Sequence, residues 1–192
     1  MAIGSDLAML ISEIDANLSH ADTIAHGLSN AQFNWRPGPG RWSAAECFGH
    51  LNMGNGGALA PLEAAIRMGR ERNLTGEGPF AYGWLIRKWI ASQDLPVKRK
   101  FKAAKINTPP PEADMDATLA EYRRISAEVR RLAVSANGLD LARVRAVLPL
   151  PALLRPFVKM PLGAWLALIT VHDRRHLWQA EQVRQHPAFP AG

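Results

Sequence analysis

Cysteine is scarce in this chain of 192 residues, which contains only Cys47. A single cysteine cannot form an internal disulfide, and this usage is typical of a reducing cytoplasm, where we expect the protein to be found. Long hydrophobic runs are also missing, because the longest uncharged apolar stretch covers only residues 160–171. That stretch is too short to span a bilayer, so we predict no membrane span. The first residues lack the order of basic, apolar and small residues that marks a signal peptide.

The sequence contains no glycine-rich phosphate loop, internal repeat or low-complexity tract, and it shows no strand signals that would predict a sheet. Its 23 Lys and Arg residues exceed its 17 Asp and Glu residues, which gives a formal net charge of +6. This excess favours an anionic partner, whether a substrate, a nucleic acid or a lipid surface. Because no nucleic-acid recognition motif is present, we do not expect nucleic acid to be the partner.

Four long amphipathic helices account for most of the chain, because apolar residues recur at helical spacing over residues 5–29, 44–70, 112–136 and 161–185. Ser43 followed by Glu46 is a capping box, which predicts where the second of these helices begins. A short extra helix is predicted at residues 81–92, and an irregular apolar crossover at residues 139–160. We therefore predict one all-α domain over residues 1–192, a four-helix bundle with a long crossover connection.

The fourth predicted helix carries two histidines on its core-facing side. His172 and His176 are four residues apart, so both imidazoles point the same way from successive turns. Apolar residues precede the pair and Val183 follows it, which predicts that the pair lies inside the fold. A buried imidazole needs partners for its ring nitrogens. Two alternatives satisfy that need: hydrogen bonds to backbone or water, and a metal ion that both rings share.

His50 lies on the second predicted helix but away from its apolar stripe, at roughly 100° per residue. It shares its own face with Gly54, Gly57 and Pro61. One interpretation is a weak, exposed helix face. The other is a face kept small so that a neighbouring helix or a ligand can approach His50. Periodicity alone favours the exposed face.

An aromatic segment at residues 81–92 precedes a basic run that includes Lys98 and Lys105. Such a pattern is compatible with contact to a membrane surface or to nucleic acid. We favour the simpler interpretation, a solvated loop that follows a core-packed helix. We also expect the loop over residues 98–105 to be mobile and dispensable for folding.

Two motifs about 120 residues apart resemble the DinB-like superfamily, in the subgroup similar to bacillithiol transferases. They read WSAAECFGHL and VHDRRHLWQAEQVRQHPAFP. In that family a Trp-Ser pair opens the second helix, a His-Leu pair follows, and an HxxxHxxQ pattern closes the fourth helix. The matching positions here are Trp42, Ser43, His50, Leu51, His172, His176 and Gln179. The resemblance covers nearly the whole chain except an insertion at about residues 69–108.

The resemblance implies a three-histidine metal site formed by His50, His172 and His176, with water in the remaining positions. It implies that His50 faces inward, and we follow it against the periodicity because two histidines alone offer too few ligands. The implied cofactor is a divalent transition metal (zinc, nickel or iron), among which geometry rather than affinity selects. An open position on such an ion makes a Lewis acid that lowers the pKa of a bound water or thiol.

Three polar neighbours of the histidines have alternative roles. Asp173 is adjacent in sequence but points to another side of the helix, so we do not expect it to be a ligand. Glu46 either serves the capping box, which we favour, or orients His50 from one turn away. Gln179 either hydrogen-bonds near the metal or packs in the core. No catalytic residue is assigned.

The function that the resemblance implies is a metal-dependent enzyme. Its reaction would be transfer of a low-molecular-weight thiol to an electrophile (an S-transferase) or a related isomerisation or hydrolysis of a small-molecule substrate. The alternative is a non-catalytic metal-binding or stress-response protein whose metal is structural or sensed. Family members often dimerise through bundle faces, so a homodimer is one expected assembly.

Overall fold

The computed structural model describes residues 2–97, 108–147 and 159–191. These residues form an all-α fold with one minor pair of strands. In chain order the elements are α1 (Ser5–Ala25), α2 (Asn30–Asn34), α3 (Ala44–Glu71), α4 (Trp84–Gln93), α5 (Met115–Ser135), β1 (Arg145–Val147), β2 (Lys159–Pro161) and α6 (Leu162–Arg184). The basic run predicted to be a loop at residues 98–105 lies outside the described residues, as does most of the predicted crossover.

The four long helices α1, α3, α5 and α6 form the bundle that the sequence predicts. Both α1 and α3 pack against α5 and against α6, so each long helix has two long neighbours. Two apolar clusters fill the interior. One contains Leu62 and Trp165, and the other contains Phe48, Tyr122 and Leu177. The second cluster lies where α3 begins and α6 ends, and it forms the surroundings of the histidines described below.

The capping box at the start of α3 fixes where that helix begins. The Glu46 backbone N–H donates to Ser43 Oγ at 3.2 Å, and the Ser43 backbone N–H donates to Glu46 Oε2 at 2.9 Å. This exchange satisfies two donors that a helix start otherwise leaves free. From there α3 runs as one helix through Pro61 to Glu71. The predicted start of this helix is therefore confirmed.

The first predicted helix is too long, because α1 ends at Ala25 rather than near residue 29. Gly27 adopts a φ of +73°, a left-handed conformation that stops a helix at little steric cost. A second short helix, α2, then begins at Asn30, where Ser29 and Gln32 form a capping box of their own. Five residues are too few for hydrophobic periodicity, which explains why the sequence did not predict α2.

The expectation that no sheet would form is wrong at one place. Strands β1 and β2 pair antiparallel, with Ala146 opposite Met160. Each strand has three residues, so neither is long enough to show the alternation that identifies a strand. The pair leads directly into α6, and the Leu162 backbone N–H donates to the Val144 carbonyl at 2.8 Å.

The predicted extra helix corresponds to α4, which packs against α6. Its half-buried Ile86 and Ile90 contact the larger apolar cluster. No helix of the described chain is both long enough and apolar enough to cross a membrane.

Replacing Gly163 by Ala tests the packing at the start of α6. A Cβ at this position would overlap the Tyr82 hydroxyl and would lie 3.0 Å from Leu141 Cβ. We expect Gly163→Ala to lower the free energy of unfolding by about 1–3 kcal/mol. The control is Gly54→Ala, whose Cβ meets nothing within 4 Å. It should raise the free energy of unfolding by up to about 1 kcal/mol because Ala favours a helix interior. Urea denaturation of both variants measures the difference, and equal stabilities would contradict the packing.

Candidate metal site

The three histidines that the sequence singles out lie together between α3 and α6. The ring centroids are 5.1 Å apart for His50 and His172, and 4.6 Å apart for the other two pairs with His176. One ring nitrogen from each residue can serve as a ligand, and these three atoms lie within 4.8 Å of one another. Three ring nitrogens at these separations are within reach of a single ion.

His50 faces the interior, so the exposure that periodicity favoured is wrong. His50 is 7% exposed and His176 is 9% exposed, while His172 is half-buried. The physical reason is that α3 packs against both α5 and α6, and its buried surface is therefore wider than one apolar stripe. A polar residue at the edge of that surface is covered by α6 although it lies outside the stripe.

Trp42 forms one wall of the histidine cluster. Its ring centroid lies 5.1 Å from that of His50 and 5.7 Å from that of His176. Trp42 directly precedes the N-cap residue Ser43, so the same capping box that starts α3 also positions the indole. The sequence identified Trp42 as part of the Trp-Ser pair that opens the second helix, without connecting its ring to the histidines.

Burial keeps two of the imidazoles neutral. It lowers the pKa of His172 from 6.5 to about 3 and that of His176 to about 2. These values include smaller contributions: the neighbouring imidazoles and the Arg175 guanidinium also lower both pKa values, and a hydrogen bond with the Gln179 side chain raises that of His176. Since a metal binds the neutral imidazole, His172 and His176 are in the form that ligation requires at neutral pH.

Two observations show that the cluster fits a metal ion. Nδ1 of His176 is buried and has no hydrogen-bond partner. Nε2 of His50 and Nε2 of His172 face each other at 3.4 Å, where at most one of them can carry the bridging proton. Imidazole nitrogens of this kind suit zinc, nickel or iron. A single cation bound between these rings would therefore coordinate ring nitrogens that otherwise lack a hydrogen-bond partner or compete for one proton.

Glu46 is held at the start of α3 by three hydrogen bonds. Its two carboxylate oxygens accept hydrogen bonds from the Arg36 guanidinium at 2.8 and 2.6 Å, and one of them also accepts from the Ser43 backbone N–H. The carboxylate is buried, and these three bonds hold it at the start of α3. Of the two alternatives for Glu46, the structure supports the capping box.

Asp173 is also buried, but it belongs to a different network from the histidines. Its Oδ1 accepts from Asn55 Nδ2 at 2.8 Å, and its Oδ2 accepts from the Tyr122 hydroxyl at 3.3 Å. Burial raises the pKa of this carboxyl from 3.8 to about 7. Because Asn55 lies on α3 and Tyr122 on α5, Asp173 connects three helices at the level of the histidine pair.

Two arginines on α6 attach α4 beside the site. Arg174 donates to Asp94 at 2.8 Å and to Glu13 at 2.9 Å. Arg175, which is 7% exposed, donates to the Ser92 backbone carbonyl at 3.3 Å. These contacts bring a positive charge close to the imidazoles. Sequence reasoning did not identify either arginine, because their partners lie far away in the sequence, on α1 and at the end of α4.

Cys47 does not contribute a reactive thiol. It is fully buried, and burial together with the nearby Glu46 carboxylate raises the pKa of the thiol well above its ordinary value. The thiolate is the nucleophilic form of cysteine, so Cys47 is inert at neutral pH.

Comparison with known proteins adds one finding. The family model described as the DinB superfamily matches residues 13–180, a range that contains all three histidines and both sequence motifs except the tail of the second. No curated protein and no solved structure matches the chain.

Proposed function

Because this chain belongs to the DinB superfamily, we propose that His50, His172 and His176 bind one divalent transition metal ion. The three-histidine cluster and the family together fit a metal-binding protein. The observation that carries the proposal is the convergence of three ring nitrogens, one from α3 and two from α6, in a mostly buried position. The ion would be zinc, nickel or iron.

The activity that we propose is transfer of a low-molecular-weight thiol to an electrophile, with a related isomerisation or hydrolysis as variants of the same chemistry. Bound metal supplies a Lewis acid, which favours the deprotonated form of a thiol or water. The protein's own residues would do the rest. His172 and His176 stay neutral, Trp42 covers one side of the cluster, and Arg175 brings a positive charge that attracts an anionic substrate.

A second candidate function is metal binding without turnover, in which the ion is structural or sensed and the protein takes part in a stress response. The burial of His50 and His176 favours this candidate, because a closed site suits a structural ion. A homodimer in the cytoplasm is compatible with either function. The half-buried position of His172 and the open space at Gly54 favour the enzyme.

The test is a metal analysis of the purified protein followed by a thiol-transfer assay. The assay uses a panel of low-molecular-weight thiols with one electrophilic acceptor. The proposed enzyme should show turnover that a chelator abolishes and that added metal restores. Bound metal without turnover would favour the second candidate. Protein that neither retains nor takes up zinc, nickel or iron would contradict both.

Gly54 offers a way to separate metal binding from ligand access. It follows His50 by one turn, and the space beside it is open. We expect Gly54→Leu to keep its metal but to raise the KM for thiol, because the new side chain extends over the approach to His50. Gly54→Ala is the matched control, since its methyl group is too short to reach the ring. Loss of metal in Gly54→Leu, or equal KM values in both variants, would count against an opening at this position.

A further inference from the structure

Helix α4 exposes an apolar face that the rest of the fold does not cover. Trp84 is 58% exposed, Leu85 is 73% exposed and Trp89 is 42% exposed. The described chain has eight exposed large apolar residues, and these three lie within six consecutive positions of one helix. The other five are scattered over the ends of the bundle and over α1, α3 and α5, where single exposed apolar residues are ordinary. The concentration on α4 therefore indicates a binding surface.

The opposite side of α4 holds the helix firmly on the bundle. Ile86 and Ile90 are half-buried and contact the larger apolar cluster. At the end of the helix, Asp94 accepts from Arg174 at 2.8 Å, and the Ser92 carbonyl accepts from Arg175 at 3.3 Å. These contacts fix which side chains face outward. The exposed face is thus formed before any partner binds, which reduces the entropic cost of binding.

Positive charge lies next to the exposed rings. Arg87 and Lys88 are exposed, and α4 contains no acidic residue. Lys88 Nζ lies 4.4 Å from the centroid of the Trp84 ring. Tryptophan, leucine and basic residues on one short helix are the composition of segments that lie in the interface of a membrane. There the indole rings sit at the level of the headgroups, and the cations contact anionic lipid.

We propose that α4 binds the surface of a membrane that contains anionic lipid, with Trp84, Leu85 and Trp89 in the headgroup region. Arg87 and Lys88 then contact lipid phosphates, and each cation near such a surface adds to the attraction. The chain's formal net charge of +6 adds a longer-range attraction to the same surface. The protein would bind peripherally, and this inference is independent of the metal site.

A second copy of the chain fits this face less well. In a symmetric dimer through α4, both copies present the same surface, so Arg87 and Lys88 would lie close to the same cations of the second copy. These like charges would repel one another. The helix offers no carboxylate to neutralise them. Anionic lipid supplies that negative charge together with an apolar layer for the three exposed side chains.

The test is co-flotation of the full-length protein with phospholipid vesicles. One vesicle preparation contains phosphatidylcholine alone, and the other contains phosphatidylcholine mixed with phosphatidylglycerol. We expect the protein to float with the mixed vesicles and to remain in solution with the neutral ones. Trp84→Ser/Trp89→Ser and Arg87→Glu/Lys88→Glu should each weaken binding by roughly tenfold or more.

Controls away from α4 make the result specific. Met9→Ser removes an apolar residue that is 61% exposed on α1, and Arg143→Glu reverses an exposed charge outside the helices. Both controls should bind mixed vesicles like the parent protein, and all variants should keep the parent melting temperature. Failure of the parent to float, equal flotation with neutral vesicles, or equal binding by the α4 variants would overturn the proposal. If the parent protein forms a dimer without lipid and Trp84→Ser/Trp89→Ser dissociates that dimer, the proposal is overturned, and a second copy rather than a membrane binds this face.

Discussion

His50→Ala is expected to weaken metal binding by about 100-fold or more, which exceeds the effect of losing a residue that only orients a ligand. The substitution removes the one imidazole that α3 contributes, and it leaves the two on α6. His172→Ala and His176→Ala should each remove most of the bound metal as well. The measurement is a competitive metal titration, with elemental analysis of the protein as purified.

The fold should survive the loss of His50, because the helix start depends on the Ser43–Glu46 capping box and not on the imidazole. We expect the circular dichroism spectrum of His50→Ala to match that of the parent. His26→Ala is the control, since His26 is exposed beyond the end of α1 and outside the cluster. A titration in which His50→Ala binds metal as tightly as the parent would refute the three-histidine site.

Asp173→Ala is expected to lower the free energy of unfolding by about 2–4 kcal/mol. The substitution leaves the Asn55 amide and the Tyr122 hydroxyl buried without their acceptor. It should also weaken metal binding, because the bond between Asn55 and Asp173 ties α3 to α6 close to the pair formed by His50 and His172. Urea denaturation measures the first effect, and a metal titration measures the second.

Asp173→Asn separates the hydrogen bonds from the charge. Its amide oxygen can accept from Asn55, and its amide nitrogen can donate to the Tyr122 oxygen, so both contacts are kept. The variant should therefore retain nearly the parent's stability and metal affinity. If Asp173→Ala behaves like Asp173→Asn in both measurements, the hydrogen bonds of Asp173 do not hold α3, α5 and α6 together.

The long helices were predictable because their signals are local. Apolar spacing identified the four helices, and the capping box gave the start of α3 to the residue. The elements that the sequence missed are the five-residue α2 and the three-residue strands, which are too short to display a period. Length is thus the property that divided the predictable elements from the missed ones.

The candidate site was predictable only in part, for a different reason. The spacing of His172 and His176 shows that both rings share a face, which is a property of one helix. The orientation of His50 depends on how α6 packs across α3, so periodicity within α3 misplaced it and a family resemblance was needed. The buried Asn55–Asp173–Tyr122 network involves three helices, so no local sequence pattern predicts it.

The burial of Cys47 bears on how this protein would tolerate the compounds that it is proposed to process. An enzyme that handles electrophiles is exposed to alkylation by its own substrates. The only cysteine of this chain is in the core with 1% of its surface exposed, and its thiol stays protonated. The chain thus offers no cysteine nucleophile that could be consumed in a side reaction. It would therefore avoid inactivation through alkylation of an accessible thiol.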